Sequence, residues 1–312
     1  MVTTARSPVP RLRHEPRSPH AATVRRRLWA AGVVLLALVS GCTGEPGDEP
    51  SPATTSPAVE PTSEPTEPTT EPTPETTTVR VYSMVDTRNG LRLARESRDV
   101  SGDDPLVLAV EEMVAGPDDP DYSTAWNPAT EVLGVTQADW VLTVDLSEDA
   151  RTADIGSEGA ALMIQQLVWT VTDAAGADDA AVLLTVAGAP AGELWGAVSW
   201  DTPVTRADPM SVRMLVQIDE PREGAASGTA VTVSGEAAVF EAVLPWSVLD
   251  AAGAEVTSGT TMTAEGQTFA PFSFTVDLEP GAYTVVITED DPSGGEGGTP
   301  TSDTRTITVS AS

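Results

Sequence analysis

SEGAALMIQQLVWTVTDA, residues 157–174, is the stretch on which the fold of this 312-residue chain turns. Its apolar side chains return at helical spacing, so that Ala160, Ile164, Leu167, Val168 and Val171 fall on one face. A face of that width needs a sheet to cover it, and the flanking sequence supplies one. Residues 181–186 (AVLLTV) read as an apolar strand after the helix. Residues 130–135 and 140–146 read as two strands before it, separated by a short turn.

Further upstream, Val79, Val81 and Ser83 alternate with Arg80, Tyr82 and Met84, Asn89-Gly90 supplies a hairpin turn, and residues 91–100 return as a second strand. Asp104 caps a second helix with Pro105 at its first position, and Gly116-Pro117 ends it. Leu106, Ala109, Val110, Met113 and Val114 form its inner face. Residues 79–203 are thus expected to be an α+β domain, two helices on a small mixed sheet.

These residues carry a resemblance. Val81-Tyr82, the helix end Glu112-Met113-Val114-Ala115-Gly116-Pro117, Val141-Leu142-Thr143-Val144-Asp145-Leu146 and Gln165-Gln166-Leu167-Val168-Trp169-Thr170 together resemble the GerMN domain of spore-germination and sporulation proteins, over residues 78–203. The same domain occurs in actinobacterial envelope lipoproteins. The resemblance implies a cell-envelope protein and brings no catalytic motif.

Residues 212–312 change character, with short alternating runs divided by Gly and Pro. The predicted strands are 214–218, 230–233, 237–245, 247–250, 272–278, 282–288 and 304–309, which suggest an all-β sandwich. Pro221, Gly224, Val231-Thr232-Val233-Ser234-Gly235-Glu236-Ala237 and Phe240-Glu241 resemble the immunoglobulin-like domain of bacterial spore-germination proteins, often found after a GerMN domain. Residues 201–211 mix Pro, Thr and Asp as a linker would, so two independently folding units are expected to be divided there.

The other end of the chain reads as an address. Residues 28–39 (LWAAGVVLLALV) are apolar but too short to span a bilayer, and Val39-Ser40-Gly41-Cys42 follows at once. This resembles the lipobox of bacterial lipoproteins. It implies cleavage of a 1–41 signal peptide between Gly41 and Cys42, lipid on Cys42, and attachment to the membrane at its extracytoplasmic face. Arg25-Arg26-Arg27-Leu28-Trp29 also resembles a loose twin-arginine signal, with general secretion the favoured route. Residues 42–78 are nearly all Thr, Pro, Glu and Ser. They offer no core to bury and read as a disordered, extended tether, with a composition that also suits O-glycosylation.

Composition narrows the chemistry. All 17 basic residues are Arg. Beyond the expected cleavage point ten Arg face 46 acids, a net charge of −36 that repels phosphate backbones and argues against a nucleic-acid partner. His14 and His20 lie in the leader and Cys42 is the sole cysteine. The mature chain therefore has no imidazole, free thiol or lysine for a catalytic triad, a thiol nucleophile, a zinc site or a Schiff base. No cofactor is expected.

Paired acids remain as catalytic candidates: Glu111-Glu112, Asp118-Asp119, Asp178-Asp179 and Asp290-Asp291. A glycosidase needs two carboxyls about 5–10 Å apart across a cleft, whereas adjacent acids point apart. The loop from Asp290 to Glu296 lacks the spacing that gathers oxygens around calcium. Trp195 and Trp200, near a short strand or hairpin bounded by Gly192 and Pro203, read as core packing ahead of an exposed contact with a partner or glycan. The expected function is therefore non-enzymatic: an interaction or assembly module of the envelope with a protein partner. The alternative is a lipoprotein that binds wall polymer or calcium.

Overall fold

The computed structural model describes residues 76–291, 296 and 298–311. The leader, Gly41, Cys42 and residues 43–75 of the tether lie outside the described residues, as do positions 292–295 of the acidic loop. Thr76, Thr77 and Thr78, expected in the disordered tether, instead begin the first strand, paired with Ser101, Val100 and Asp99.

Strands β1 (Thr76–Thr87) and β2 (Gly90–Ser101) pair antiparallel along their whole length, from Thr76 opposite Ser101 to Thr87 opposite Gly90. Gly90 accepts φ +89°, which a side chain would resist, and so lets the chain reverse. Helix α1 (Pro105–Ala115) starts where Asp104 accepts from the amides of Leu106 (3.0 Å) and Val107 (3.3 Å), and it ends at Gly116. Its predicted inner face is buried, with Leu106 packed at the core's margin.

Strand β3 (Val132–Ala138) begins two residues later than expected. Ala129 and Glu131 instead give their amides to the side chains of Asn127 and Ser147, which hold this stretch as a loop. Strand β4 (Val141–Leu146) follows a turn that leaves Trp140 74% exposed, and a 3-10 turn spans Glu148–Arg151.

Helix α2 (Ser157–Ala174) has the predicted bounds, but more of it is buried than one face: Leu162, Met163, Gln166, Trp169, Thr170 and Thr172 are covered as well. The cause is that β1, α1 and β5 (Ala181–Val186) all pack on it. Strand β5 runs parallel to β4, and β6 (Ala189–Pro190) folds back on β5, so β3-β4-β5-β6 is the expected mixed sheet. The β1–β2 hairpin is a separate two-stranded sheet on the other side of the helices. A small hairpin, β7 (Gly192–Leu194) and β8 (Val198–Trp200), completes the unit.

The stretch expected to act as an open linker is tied down. Val182 and Val204 exchange two backbone hydrogen bonds of 2.8 Å, Arg206 Nε donates to Thr172 Oγ1 (2.8 Å), and the Ala207 amide donates to Gln165 Oε1 (2.8 Å). Asp208 then caps the one-turn helix α3 (Pro209–Val212).

The rest is the expected sandwich. Its strands are β9 (Val216–Glu220), β10 (Ala225–Ser227), β11 (Ala230–Ala237), β12 (Val243–Asp250), β13 (Glu255–Met262), β14 (Ala270–Asp277), β15 (Gly281–Thr288) and β16 (Ser302–Val309). They form two sheets, β10-β16-β15-β12-β13 and β14-β11-β9, around Val231, Val233, Leu244, Val248, Phe272, Val285 and Ile307.

Two expectations need correction. The strand predicted over 237–245 is broken, because the chain turns through Phe240–Ala242 with Glu241 and Ala242 at φ +56° and +60°. Strand β12 then runs unbroken through Pro245, which is tolerated because Pro245 pairs with β13 alone and pairing with β15 begins at Trp246. Strand β13 was not expected at all. It is a polar edge strand, and its Gly259 leaves room for Trp246, whose ring would lie 2.7 Å from an added Cβ and stacks 4.7 Å from Phe274.

Candidate functional site

The two halves meet along β2. Val79, Val81, Tyr82, Met84, Leu93 and Val100 of the hairpin belong to the helical core, whereas Val85 and Ala94 join Tyr122, Met214, Val216 and Ile218 in the core of the sandwich. The Met214 amide donates to the Leu93 carbonyl (2.9 Å), and Gln217 Nε2 donates to the Arg95 carbonyl (2.8 Å). The outer edge of β2 is thereby covered, which removes a template for unwanted strand pairing.

Around this seam sit buried arginines. Arg305 of β16, 2% exposed, donates through Nη1 to Asp119 (2.6 Å), Asp303 (2.9 Å) and the Thr304 carbonyl (2.5 Å), and through Nη2 to the Tyr122 hydroxyl and the Ile218 carbonyl (both 3.0 Å). The Tyr122 hydroxyl in turn donates to Asp303 (2.6 Å). Burial pushes Asp119 up to about 6 against the pull of Arg305. Burial also raises Asp303 and Tyr122 above their ordinary values.

A second cluster surrounds Arg95 of β2. Its guanidinium grips Asp219 through two bonds (2.8 and 2.6 Å) and reaches Glu236 at 2.9 Å, which Arg213 also contacts at 3.0 Å. Burial alone would raise Glu236, but Arg95 and Arg213 together hold its carboxyl below the ordinary range. A third arginine, Arg98, bonds Glu112 (2.9 Å), Glu96 (3.2 Å) and the Gly116 carbonyl (2.7 Å), and lies 3.4 Å from Asp118.

The paired acids are separated by these contacts. Asp119 is buried on Arg305 while Asp118 is 71% exposed beside Arg98. Glu112 turns to Arg98, Asp178 pairs with Arg206 from the surface at 3.0 Å, and Asp291 lies 3.8 Å from Arg88. No adjacent pair faces a common cleft as a unit, but Glu112 and Asp118, from different pairs, both meet Arg98 and line one cavity.

Both tryptophans singled out by sequence are packing residues. Trp200 is 1% exposed and bonds the Val182 carbonyl, and Trp195 meets Trp126 edge-on at 5.4 Å and bonds the Ala150 carbonyl. Among the described residues no group of three or more His, Cys, Asp or Glu is placed to hold a metal ion, and no helix is long and apolar enough to cross a membrane. Sequence reasoning missed Asp303, Arg305, Arg95 and Arg213. The available signal was the rarity of Arg in this acidic chain, which makes each one inside a strand a candidate for a buried pair.

Comparison with known proteins fits this division. Residues 68–192 match the family described as sporulation and spore germination, and residues 215–296 match the immunoglobulin-like domain of bacterial spore germination. Among solved structures, the chain is similar to the tandem GerMN domains of the sporulation protein GerM from Bacillus subtilis, at 19% identity with a TM-score of 0.37. That match covers 45% of this chain and 48% of the other, so the chain spans about half the length of that structure. The first GerMN domain of the same protein matches at 17% identity and a TM-score of 0.33, over 42% of this chain and 99% of that one. A putative lipoprotein from Clostridium perfringens matches at 14% and 0.29, over 41% and 86%. No curated protein matches the chain significantly. The chain therefore carries in tandem a GerMN-type domain of the sporulation and spore-germination family and the immunoglobulin-like domain of bacterial spore germination.

Proposed function

We propose that this protein is an extracytoplasmic lipoprotein, held to the cell membrane by lipid on Cys42, whose paired domains act without catalysis as an interaction or assembly module of the cell envelope. The observation that carries the reading is the seam itself. Two domains of germination type share the β1–β2 hairpin and bury Arg305, Asp119, Asp303 and Tyr122 between them, an arrangement suited to presenting one joint surface to a partner. Several of the candidate acids are engaged by arginines, Glu112 and Asp118 by Arg98, Asp178 by Arg206 and Asp119 by Arg305.

The partner is an envelope protein met at the exposed surface. A photo-crosslinking residue in place of Trp140 or Phe240, which are 74% and 47% exposed, should capture one defined envelope protein in cells. Cys42→Ser should abolish lipid labelling and membrane retention, since no other thiol exists. Hydrolytic turnover of peptidoglycan, model glycosides or peptides by the purified protein, lost on replacing Asp118 or Asp119, would overturn the non-catalytic reading.

A further inference from the structure

A cavity of about 580 Å³ opens beside the C-terminal half of α2, where the hairpin, α2, the tied-down connection and the sandwich meet. Four of the ten arginines that follow Cys42 reach its wall: Arg80, Arg95, Arg206 and Arg213. Three acids do so, Asp173, Asp178 and Glu236, in a chain where acids otherwise outnumber arginines more than fourfold. The smaller cavity of about 240 Å³ beside Arg98 has the opposite balance, six acids to three arginines.

The wall is also flat and preformed. Arg206 lies 4.3 Å over the Trp169 ring, and Arg213 lies 4.1 Å over Phe269 and 5.6 Å from Trp169. Stacking holds each guanidinium plane in place before anything binds. Trp169 and Arg213 are each 5% exposed, and the Trp169 indole N–H and the Arg213 Nε–H have no acceptor within the described residues. Both orphaned atoms in this wall are donors. A buried N–H without an acceptor is disfavoured, so a small shift of either side chain that brought its donor to a ligand oxygen would be favoured.

We infer that this cavity is a binding site for a monoanionic carboxylate carried on a ring-sized neutral body. Arg95 is already held by Asp219, and Arg213 has only a share of Glu236 as its carboxylate partner, so a planar carboxylate suits the rest of the Arg213 guanidinium fork. The rim offers an exchange as well, because Asp178, 74% exposed, occupies Arg206 at 3.0 Å from the solvent side and can give way to an incoming carboxylate. The site stands apart from the assembly role, since neither Trp140 nor Phe240 contributes to its wall.

The test uses ¹H–¹⁵N spectra of the purified protein, with the Trp169 indole resonance identified by its loss in Trp169→Phe. Benzoate and N-acetylalanine should move that resonance downfield and saturably, whereas benzamide and N-acetylalaninamide should not. Arg213→Gln should weaken binding by about tenfold or more, the loss of one charge-assisted pair. Should that variant fail to fold, Arg80→Gln at the half-exposed rim and Arg206→Gln carry the test, each expected to weaken binding by a factor of about three or more. The inference fails if no saturable shift occurs, if the amides act as the acids do, if the rim variants bind unchanged, or if dimethyl phosphate binds more tightly than the carboxylates.

Discussion

The two arginine clusters on the seam invite comparison, because each buries a guanidinium between the same two domains and yet they differ in closure. Around Arg305 the protein supplies all the acceptors: two carboxylates, two carbonyls and a phenol oxygen. Around Arg213 it supplies one carboxylate, shared with Arg95, and leaves the Nε–H unanswered beside an open cavity. A charge enclosed by its own partners works as a fastener, whereas one left partly unmet beside an opening is free to meet something else. Burial alone does not distinguish these cases; the count of satisfied donors does.

Substitution should expose the difference. Arg305→Met leaves Asp119 and Asp303 buried without their cation and should lower unfolding free energy by about 3–5 kcal/mol in equilibrium denaturation. A loss below about 1 kcal/mol would erase the distinction between fastener and open site. Arg213→Met should cost less, about 1–3 kcal/mol, because Glu236 keeps Arg95 as a partner.

The third prediction concerns pH. Asp119 sits at about 6 in the folded protein against about 3.9 for a free side chain, so the folded state holds its proton more tightly. Its stabilising contribution is complete below the unfolded value and is lost as pH rises through 6. From pH 7 to pH 5 it should therefore add about 1 kcal/mol, and the buried Asp303, also raised, acts in the same direction. Asp119→Asn should flatten this rise; an undiminished slope in the variant would place the titration elsewhere.

Legibility in the sequence followed the physics of each element. Helix α2 was readable to the residue because periodicity and length agree over Ser157–Ala174, and α1 because Asp104, Pro105 and Gly116 mark its ends by local chemistry. Strand β13 was not readable, since an edge strand such as EVTSGTTM has no buried face to impose alternation. The hairpin was legible as strands but not as a shared wall: Tyr82, Ser83, Met84 and Val85 are buried in succession, which signals coverage from more than one side. The seam escaped for a different reason. Asp119 and Arg305 are 186 residues apart, and no local pattern announces a contact of that separation.

Because the β1–β2 hairpin supplies side chains to both cores, neither core can melt while leaving the other's boundary intact. Domain count and cooperative unit then cease to coincide. Heat should carry the pair through one transition whose van't Hoff and calorimetric enthalpies agree, with the sandwich and the helical layer behaving thermodynamically as a single body of two architectures.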